Sequence, residues 1–525
     1  MKRPASCIAA AAAAAAVVTA ALTLTACSGS SSTSTASSSG ATGAADPNAM
    51  FTFGQTAPIT QLDPNTSGLL SESVYFSLLY DGLTQSSPDG SAQPDLATSW
   101  KTSADALTWT FTLRSNVHYA DGRAFTATDA VQNINRVLDP KVTSQWRTNI
   151  SMVSQAVATD PTTLTLTLSR PNAQLPASLI PIKMTDVPNI GDVNKKPNGT
   201  GPYMLKSFVP NQSLDLVANP QYWGGKAKLA EVKMQTYPDI TAAETALRGG
   251  TLTALWNPPA TAVSSLQSGA RKVLKAKDPG GLDVFELDTT SAPFDNPKAR
   301  QALAYATDRA SMLKAAFGGN GVVNASQTPV SPVNQFADKS LPSYGFDLDK
   351  AKQLFSDAGV GSGTSLTYWT PSGAFPEMTT MGEILQQDLK KIGITLTIQS
   401  NETSTWAAKF YPDGKKWPGL IVPNELSFQP APNSFAFQWF SASGTCECNW
   451  KGTDTYNTAV QALEAASTTQ DQTTHLASIQ KELNAASPIT VIANSAAVSV
   501  VQPSVQGAWV DSNGVLHLED ASITG

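Results

Sequence analysis

Histidine is scarce in this 525-residue chain, occurring only as His118, His475 and His517. Three scattered imidazoles are weak material for a Ser/His or Cys/His nucleophilic pair. The chain also lacks a Gly-x-Ser-x-Gly elbow, a His-Glu-x-x-His pair and a phosphate-binding loop. The expectation is a non-enzyme with no cofactor and no metal. Charged residues make up only 14% and the net charge is −6. An acidic chain has no basic stripe with which to displace the counterions of nucleic acid, so such a partner is excluded. Beyond the first thirty residues, no window of about 18 apolar residues occurs, so nothing further along is expected to span a membrane. Cysteine is rare too, at four residues. Cys446 and Cys448 are separated by one residue. A loop disulfide is the first reading, although so short a ring is strained. Free thiols are the second and a soft-metal site the third.

What is present begins with a targeting segment. Lys2 and Arg3 form a charged start, and Ala9–Leu24 is an apolar run short for a spanning helix. Leu24-Thr25-Ala26-Cys27 resembles a bacterial lipobox. Residues 1–26 are therefore expected to be a lipoprotein signal peptide, with Cys27 the lipid-bearing residue. Residues 27–45 read as a Ser/Thr/Gly-rich tether. The lipid would hold the chain on the extracytoplasmic face of the cell membrane.

Apolar content of 41% can fill a core, and the length suits two or more domains. Phe51–Gly54 reads as a strand, Leu62-Asp63-Pro64 as a turn and Ser71–Tyr80 as a helix, closed by Asp81-Gly82-Leu83. Leu107, Trp109, Phe111 and Leu113 alternate with polar residues, as do Leu164, Leu166 and Leu168, which predicts two half-buried strands. His118 reads as a structural residue beside the Asp121-Gly122 turn. Asn296 and Pro297 open a helix with an apolar face of Ala299, Ala302, Leu303 and Ala306. Arg300, Asp308 and Arg309 read as helix-end ion pairs and surface charges. Leu366–Trp369, the helix Met381–Lys391 and Ile394–Ile398 alternate strand, helix, strand, which predicts parallel pairing. Ile489–Val501 reads as one apolar return strand.

The most specific stretch is residues 199–250. Gly199-Thr200-Gly201-Pro202-Tyr203 predicts a tight turn with glycines free to take positive φ. Asn219-Pro220-Gln221-Tyr222-Trp223 follows, and then Leu247-Arg248-Gly249-Gly250. In this order, and with Pro94-Asp95-Leu96-Ala97-Thr98-Ser99-Trp100 and Ala292-Pro293-Phe294 on either side, the chain resembles the extracellular solute-binding protein family 5. These are the peptide- and nickel-type receptors of ABC importers. The resemblance runs from about residue 50 to 510.

The resemblance implies an α/β fold with two lobes, as in periplasmic binding proteins, and an extra small domain inserted in the first lobe. Lobe I would take 46–88, 199–281 and 493–525, the extra domain 89–198 and lobe II 282–492. It implies a monomer that binds a small-molecule or oligopeptide solute between the lobes and docks on ABC importer permease subunits. Ligand contacts carried over from oligopeptide-binding members fall on Glu72 and Tyr75, on Trp256 and Asn257, and on the region of Glu425 and Phe428. Trp369 and Trp439 join them as aromatics in irregular segments, where large, rigid rings with a polar tip suit a cleft. One departure matters. Phe428 stands where peptide-binding members carry the Asp that pairs with the peptide's amino group, and Glu425 lies three residues away as a substitute. The departure leaves room for a non-peptide solute such as an oligosaccharide, and a lipoprotein sensor not coupled to import would have the same sequence.

Overall fold

The structure is a computed structural model that describes residues 45–88, 90–372, 375–402, 405–406, 416–427, 439–442, 444, 448–466 and 468–524. Its first sheet has seven strands, in the order Lys272–Lys275, Val498–Val501, Ala254–Trp256, Met50–Gln55, Glu231–Thr236, Ser213–Ala218 and Tyr203–Val209. Met50–Gln55 runs parallel to both of its neighbours, and its Phe51 and Phe53 are fully buried. Those neighbours are joined by the helix Ile240–Arg248, the crossover that parallel pairing requires. Asp239 starts this helix by accepting from the Ala242 N–H. The other pairs are antiparallel.

The Gly199–Tyr203 turn docks on the C-terminal end of the helix Leu70–Leu79. Neither Gly199 nor Gly201 has a positive φ, contrary to the expectation from sequence. Close approach is what requires them. A Cβ on Gly199 would lie 2.0 Å from the Leu79 carbonyl oxygen, and one on Gly201 2.6 Å from that of Leu78. Asn219 fixes the turn from the other side, donating to the Gly201 carbonyl at 3.0 Å.

A four-stranded antiparallel sheet, in the order Ala97–Thr102, Thr108–Leu113, Thr163–Leu168, Val153–Asp160, forms the extra domain of the first lobe. Trp109, Phe111, Leu113, Leu164, Leu166 and Leu168 are all buried, as their alternation predicts. They share a core with the helix Ala127–Leu138, which opens on a capping box of Thr126 and Asp129. His118 is exposed and bridges to Ala124 across the turn at Gly122, whose φ is 90°.

The second lobe is built on six strands, in the order Gly321–Val323, Ile489–Ser495, Gly281–Leu287, Leu420–Ser427, Ser365–Pro371, Thr395–Asn401. Ser365–Pro371 is parallel to Thr395–Asn401 through the helix Pro376–Lys391. Arg300 and Arg309 are not surface charges. Both are buried, and both donate to backbone carbonyls: Arg300 to Phe294 and Ala486, Arg309 to Ala304, Tyr344 and Val491. Arg300 thereby satisfies the end of the helix Thr469–Ala486, which a sequence reader sees only as a distant apolar-patterned segment. Cys448 is buried and disulfide-bonded. Cys446 lies outside the described residues, as do Cys27 and Phe428.

The chain crosses between the two large sheets twice. One crossing leads from Lys275 to Gly281. The other divides the apolar run that reads as a single strand: Ile489–Ser495 belongs to the six-stranded sheet and Val498–Val501 to the seven-stranded one. Small residues let these segments touch. A Cβ on Gly280 would lie 2.4 Å from the Ser512 carbonyl oxygen, and one on Gly281 2.6 Å from that of Ser495. The extra domain also reaches the second lobe directly. Arg170 pairs with Glu464 on the helix Asp454–Ala465, and the Ala173 N–H donates to the Glu464 carbonyl at 2.8 Å.

Candidate functional site

A cavity of about 210 Å³ opens between the helix Leu70–Leu79, the extra domain and the C-terminal hairpin. One stripe of the helix, Leu70, Ser73, Phe76 and Ser77, lines it, at the spacing of a single helical face. Trp146, Ile180, Pro181 and Lys183 come from the extra domain, Tyr222 from the aromatic turn, and Asp511, Asn513, Val515, His517 and Glu519 from the C-terminal segment. The extra domain is held at this seam by Arg136, which forms an ion pair with Asp63, and by the Trp146 Nε1–H, which donates to the Pro64 carbonyl at 3.0 Å. The Leu-Asp-Pro motif is thus a clamp at the rim.

The floor is charged. Asp81 accepts from Trp223 Nε1 at 2.8 Å and from the Thr200 hydroxyl at 2.9 Å. Burial raises its pKa against the pull of those donors. Asp95 accepts from the Gly82 N–H at 2.8 Å, and burial, followed by repulsion from Asp81, raises it further. The positive charge of Lys183 opposes both shifts. His517 lies flat on Trp509, with ring centres 3.9 Å apart and planes 6° off parallel. Its Nδ1 is 3.0 Å from Glu519 Oε1 and its Nε2 3.2 Å from Asp511 Oδ2. Burial alone would lower its pKa, but Glu519 and Asp511 outweigh burial and push it up to about 9. With both nitrogens engaged by carboxylates, this imidazolium has no lone pair for a base or a metal ligand. Its place is that of a fixed cation in a floor of mixed sign under an apolar wall.

The residues expected from sequence stand apart from this cavity. Glu72 and Tyr75 are fully buried on other faces of the helix. Glu72 accepts from the Thr60 N–H and hydroxyl, and the Tyr75 hydroxyl donates to the Gln61 carbonyl at 2.8 Å. Trp256 is half-buried and donates to the Gly514 carbonyl at 3.1 Å, so it steadies the hairpin that carries His517. Asn257 is exposed, with a φ of 42°. Trp369 donates to Gln399 Oε1 at 2.9 Å and packs with Trp406 and Trp417 in the second lobe. Trp439 meets Phe440 edge-on at 5.7 Å. Glu425 lies on Leu420–Ser427, near the crossing. The lining residues carried a partial signal: Asp511, His517 and Glu519 crowd three titratable groups into nine positions of a largely uncharged C-terminus.

Comparison with known proteins agrees with this architecture. Residues 91–445 match the family model described as bacterial extracellular solute-binding proteins, family 5 Middle. The chain is 28% identical to heme-binding protein A of Haemophilus influenzae over 333 residues, covering 58% of this chain and 60% of that protein. It is 26% identical to the glutathione-binding protein GsiB of Salmonella paratyphi A over 492 residues, covering 88% of this chain and 92% of that one. The crystal structure of the ABC transporter substrate-binding protein CtaP from Listeria monocytogenes superposes with a TM-score of 0.82 at 22% identity, covering 91% of this chain and all of that one. The proteins of this family bind solutes for transport and are not enzymes, and they act outside the cytoplasm. Among the described residues no helix is long and apolar enough to cross a membrane. The chain is a bacterial extracellular solute-binding protein of family 5, the substrate-binding class of ABC importers.

Proposed function

We propose that the protein is a lipid-anchored receptor, tethered through Cys27, that takes a peptide-sized solute between its lobes and delivers it to an importer permease. The observation that carries this reading is the cavity itself, an apolar wall over a floor of mixed charge lined by the first lobe and its extra domain, with the Gly280 N–H of one crossing donating to Ser512 in its C-terminal rim. Its volume of about 210 Å³ is below the ~300–1,000 Å³ of sites that engulf drug-sized ligands. It therefore suits one residue-sized group of a solute whose remainder lies in the cleft. On this reading lobe I comprises 46–88, 199–281 and 493–525 and lobe II 282–492, and closure about the crossings buries the solute. The relatives' ligands, heme and glutathione, differ greatly in size, and the peptide is favoured here because a residue-sized apolar cavity with charges of both signs matches amino-acid chemistry.

A thermal-shift panel of di- to pentapeptides, glutathione, heme and oligosaccharides tests the reading. A solute at 100 times its Kd should add about 2.7 kcal/mol to stability. Peptides are expected to raise the Tm, and a response confined to oligosaccharides would replace peptide by sugar. Replacement of Cys27 by Ser is expected to release the protein from membranes into the soluble fraction, and retention at the membrane would remove the lipid anchor.

A further inference from the structure

The strand Thr163–Leu168 runs on into a segment that is pinned at both sides. The Ser169 N–H donates to the Met152 carbonyl at 2.7 Å. The buried Asn172 accepts from the Gln174 N–H at 2.9 Å, at the start of the short helix Leu175–Ser178. Arg170 and Ala173 are thereby presented from a fixed edge of the extra domain, and neither lines the cavity. The facing element is equally fixed. The helix Asp454–Ala465 is capped by Thr453, which accepts from the Tyr456 N–H at 3.0 Å. It buries Tyr456, Val460 and Leu463 in one cluster with Leu282, Val284, Ile489 and Val491. The last four belong to the strands Gly281–Leu287 and Ile489–Ser495, at which the two crossings enter the second lobe.

Two contacts from the extra domain land on Glu464, one residue from the end of that helix. Its carboxylate takes the Arg170 guanidinium, and its carbonyl takes the Ala173 N–H at 2.8 Å. A cation and an N–H donor at a helix C-terminus satisfy its last carbonyls and suit its dipole. The Glu464 side chain is 9% exposed and that of Arg170 29%. The pair is therefore stronger than a surface pair, yet remains open to salt.

The order of the first-lobe sheet shows where this contact lies. Val498–Val501, on one crossing, is second in that order. Tyr203–Val209, which the chain enters on leaving the extra domain, is seventh and forms the far edge. Five strand spacings of about 4.8 Å put roughly 25 Å between them. Beside the crossings the lobes also touch: the Ala496 N–H donates to the Asn320 carbonyl at 3.2 Å, and a Cβ on Gly318 would lie 2.9 Å from the Ala260 carbonyl oxygen. A contact at the axis survives rotation of one lobe on the other. One at the end of a roughly 25 Å arm moves by about 4 Å for a turn of about 10°, which is beyond hydrogen-bond reach.

We propose that Arg170 and Ala173 form, with Glu464, a latch between the extra domain and the second lobe that must part before the cleft opens. This rests on the receptor reading. Arg170 is on this account a positioning residue, acting through lobe closure from outside the cavity.

Hydrogen exchange at the Ala173 amide and small-angle X-ray scattering test the latch, on the full chain carrying Cys27→Ser and with no added solute. The proteins compared are this chain, its Arg170→Ala variant and the swap of Arg170→Glu with Glu464→Arg. Arg170→Ala is expected to speed exchange at Ala173 about tenfold, the factor that loss of a charge-assisted hydrogen bond supplies. Its radius of gyration should rise while its Tm changes little. The swap should restore both readings, and salt should loosen the parent chain more than Arg170→Ala. Unchanged exchange and radius in Arg170→Ala would overturn the latch. So would a lower Tm at constant radius, the mark of a pair that only supports the fold, or a swap that restores neither reading. Those results leave solute binding untouched, whereas a solute panel with no thermal response removes the receptor reading whatever Ala173 does.

Discussion

Replacing His517 by leucine is expected to destabilise the protein by about 3–5 kcal/mol, because the buried Asp511 and the partly buried Glu519 lose the cation they share. The same network sets a pH dependence. The folded-state pKa of His517 is raised from 6.5 to about 9, so its contribution is complete below about pH 6.5 and disappears as pH climbs through 9. One pKa unit corresponds to about 1.4 kcal/mol, which puts the contribution at about 3 kcal/mol. Glu519, held low by His517 once burial is overcome, works in the other direction: its contribution is present above its ordinary pKa and is lost as pH falls through the folded value. Glu425, raised to about 7 chiefly by burial, also titrates near neutrality, so wild type and variant must be compared. Denaturant unfolding at pH 6 and pH 9.5 should show a stability gap between the two proteins that narrows at the higher pH. A constant gap would mean that the His517 ring is neutral in the fold. With three histidines in the chain, its imidazole resonance is also within reach of direct NMR titration.

Gly281→Val is expected to cost about 3 kcal/mol, the upper end of what overpacking usually exacts. The Cβ would meet the Ser495 carbonyl oxygen at 2.6 Å, and a backbone atom of a paired strand cannot swing aside as a side chain can. Both crossings are strained by the same substitution, so any solute-dependent change in shape should diminish as well. Gly345→Ala is the control. Its Cβ would meet nothing within 4 Å, and its Tm should stay level or rise slightly, since alanine restricts the unfolded chain. Equal Tm values for wild type and Gly281→Val would show that the crossings tolerate separation.

The alternations Trp109, Phe111, Leu113 and Leu164, Leu166, Leu168 were legible because a period of two leaves one choice of inner face. The family was legible because its turns recur in fixed order along the chain. The cavity was not, for two physical reasons. It gathers residues 70–77, 146, 180–183, 222 and 511–519, which no local pattern connects. In addition, the helix Leu70–Leu79 is apolar nearly all round, with Glu72, Val74, Tyr75, Leu78 and Leu79 also buried, so periodicity cannot say which stripe faces a ligand. Trp256, at the end of the strand Ala254–Trp256, gives its indole N–H to the Gly514 carbonyl, a long-range partner that its own surroundings in the chain do not announce. Arg300 and Arg309 show the same for charge: their partners are carbonyls far along the chain, which leave no mark in composition.

The place of Val498–Val501 bears on how the chain acquires its shape. This strand lies between Lys272–Lys275 and Ala254–Trp256, so the first-lobe sheet keeps a gap until residues 498–501 have been made. The second-lobe sheet likewise waits for Ile489–Ser495, which pairs with Gly281–Leu287 and Gly321–Val323. Neither lobe can be completed from the N-terminal half alone. Sequence separations of this size slow folding and prolong the exposure of unpaired edges. The same long-range closure keeps both sheets open, and the polypeptide loosely held, until the segment 489–501 has joined them.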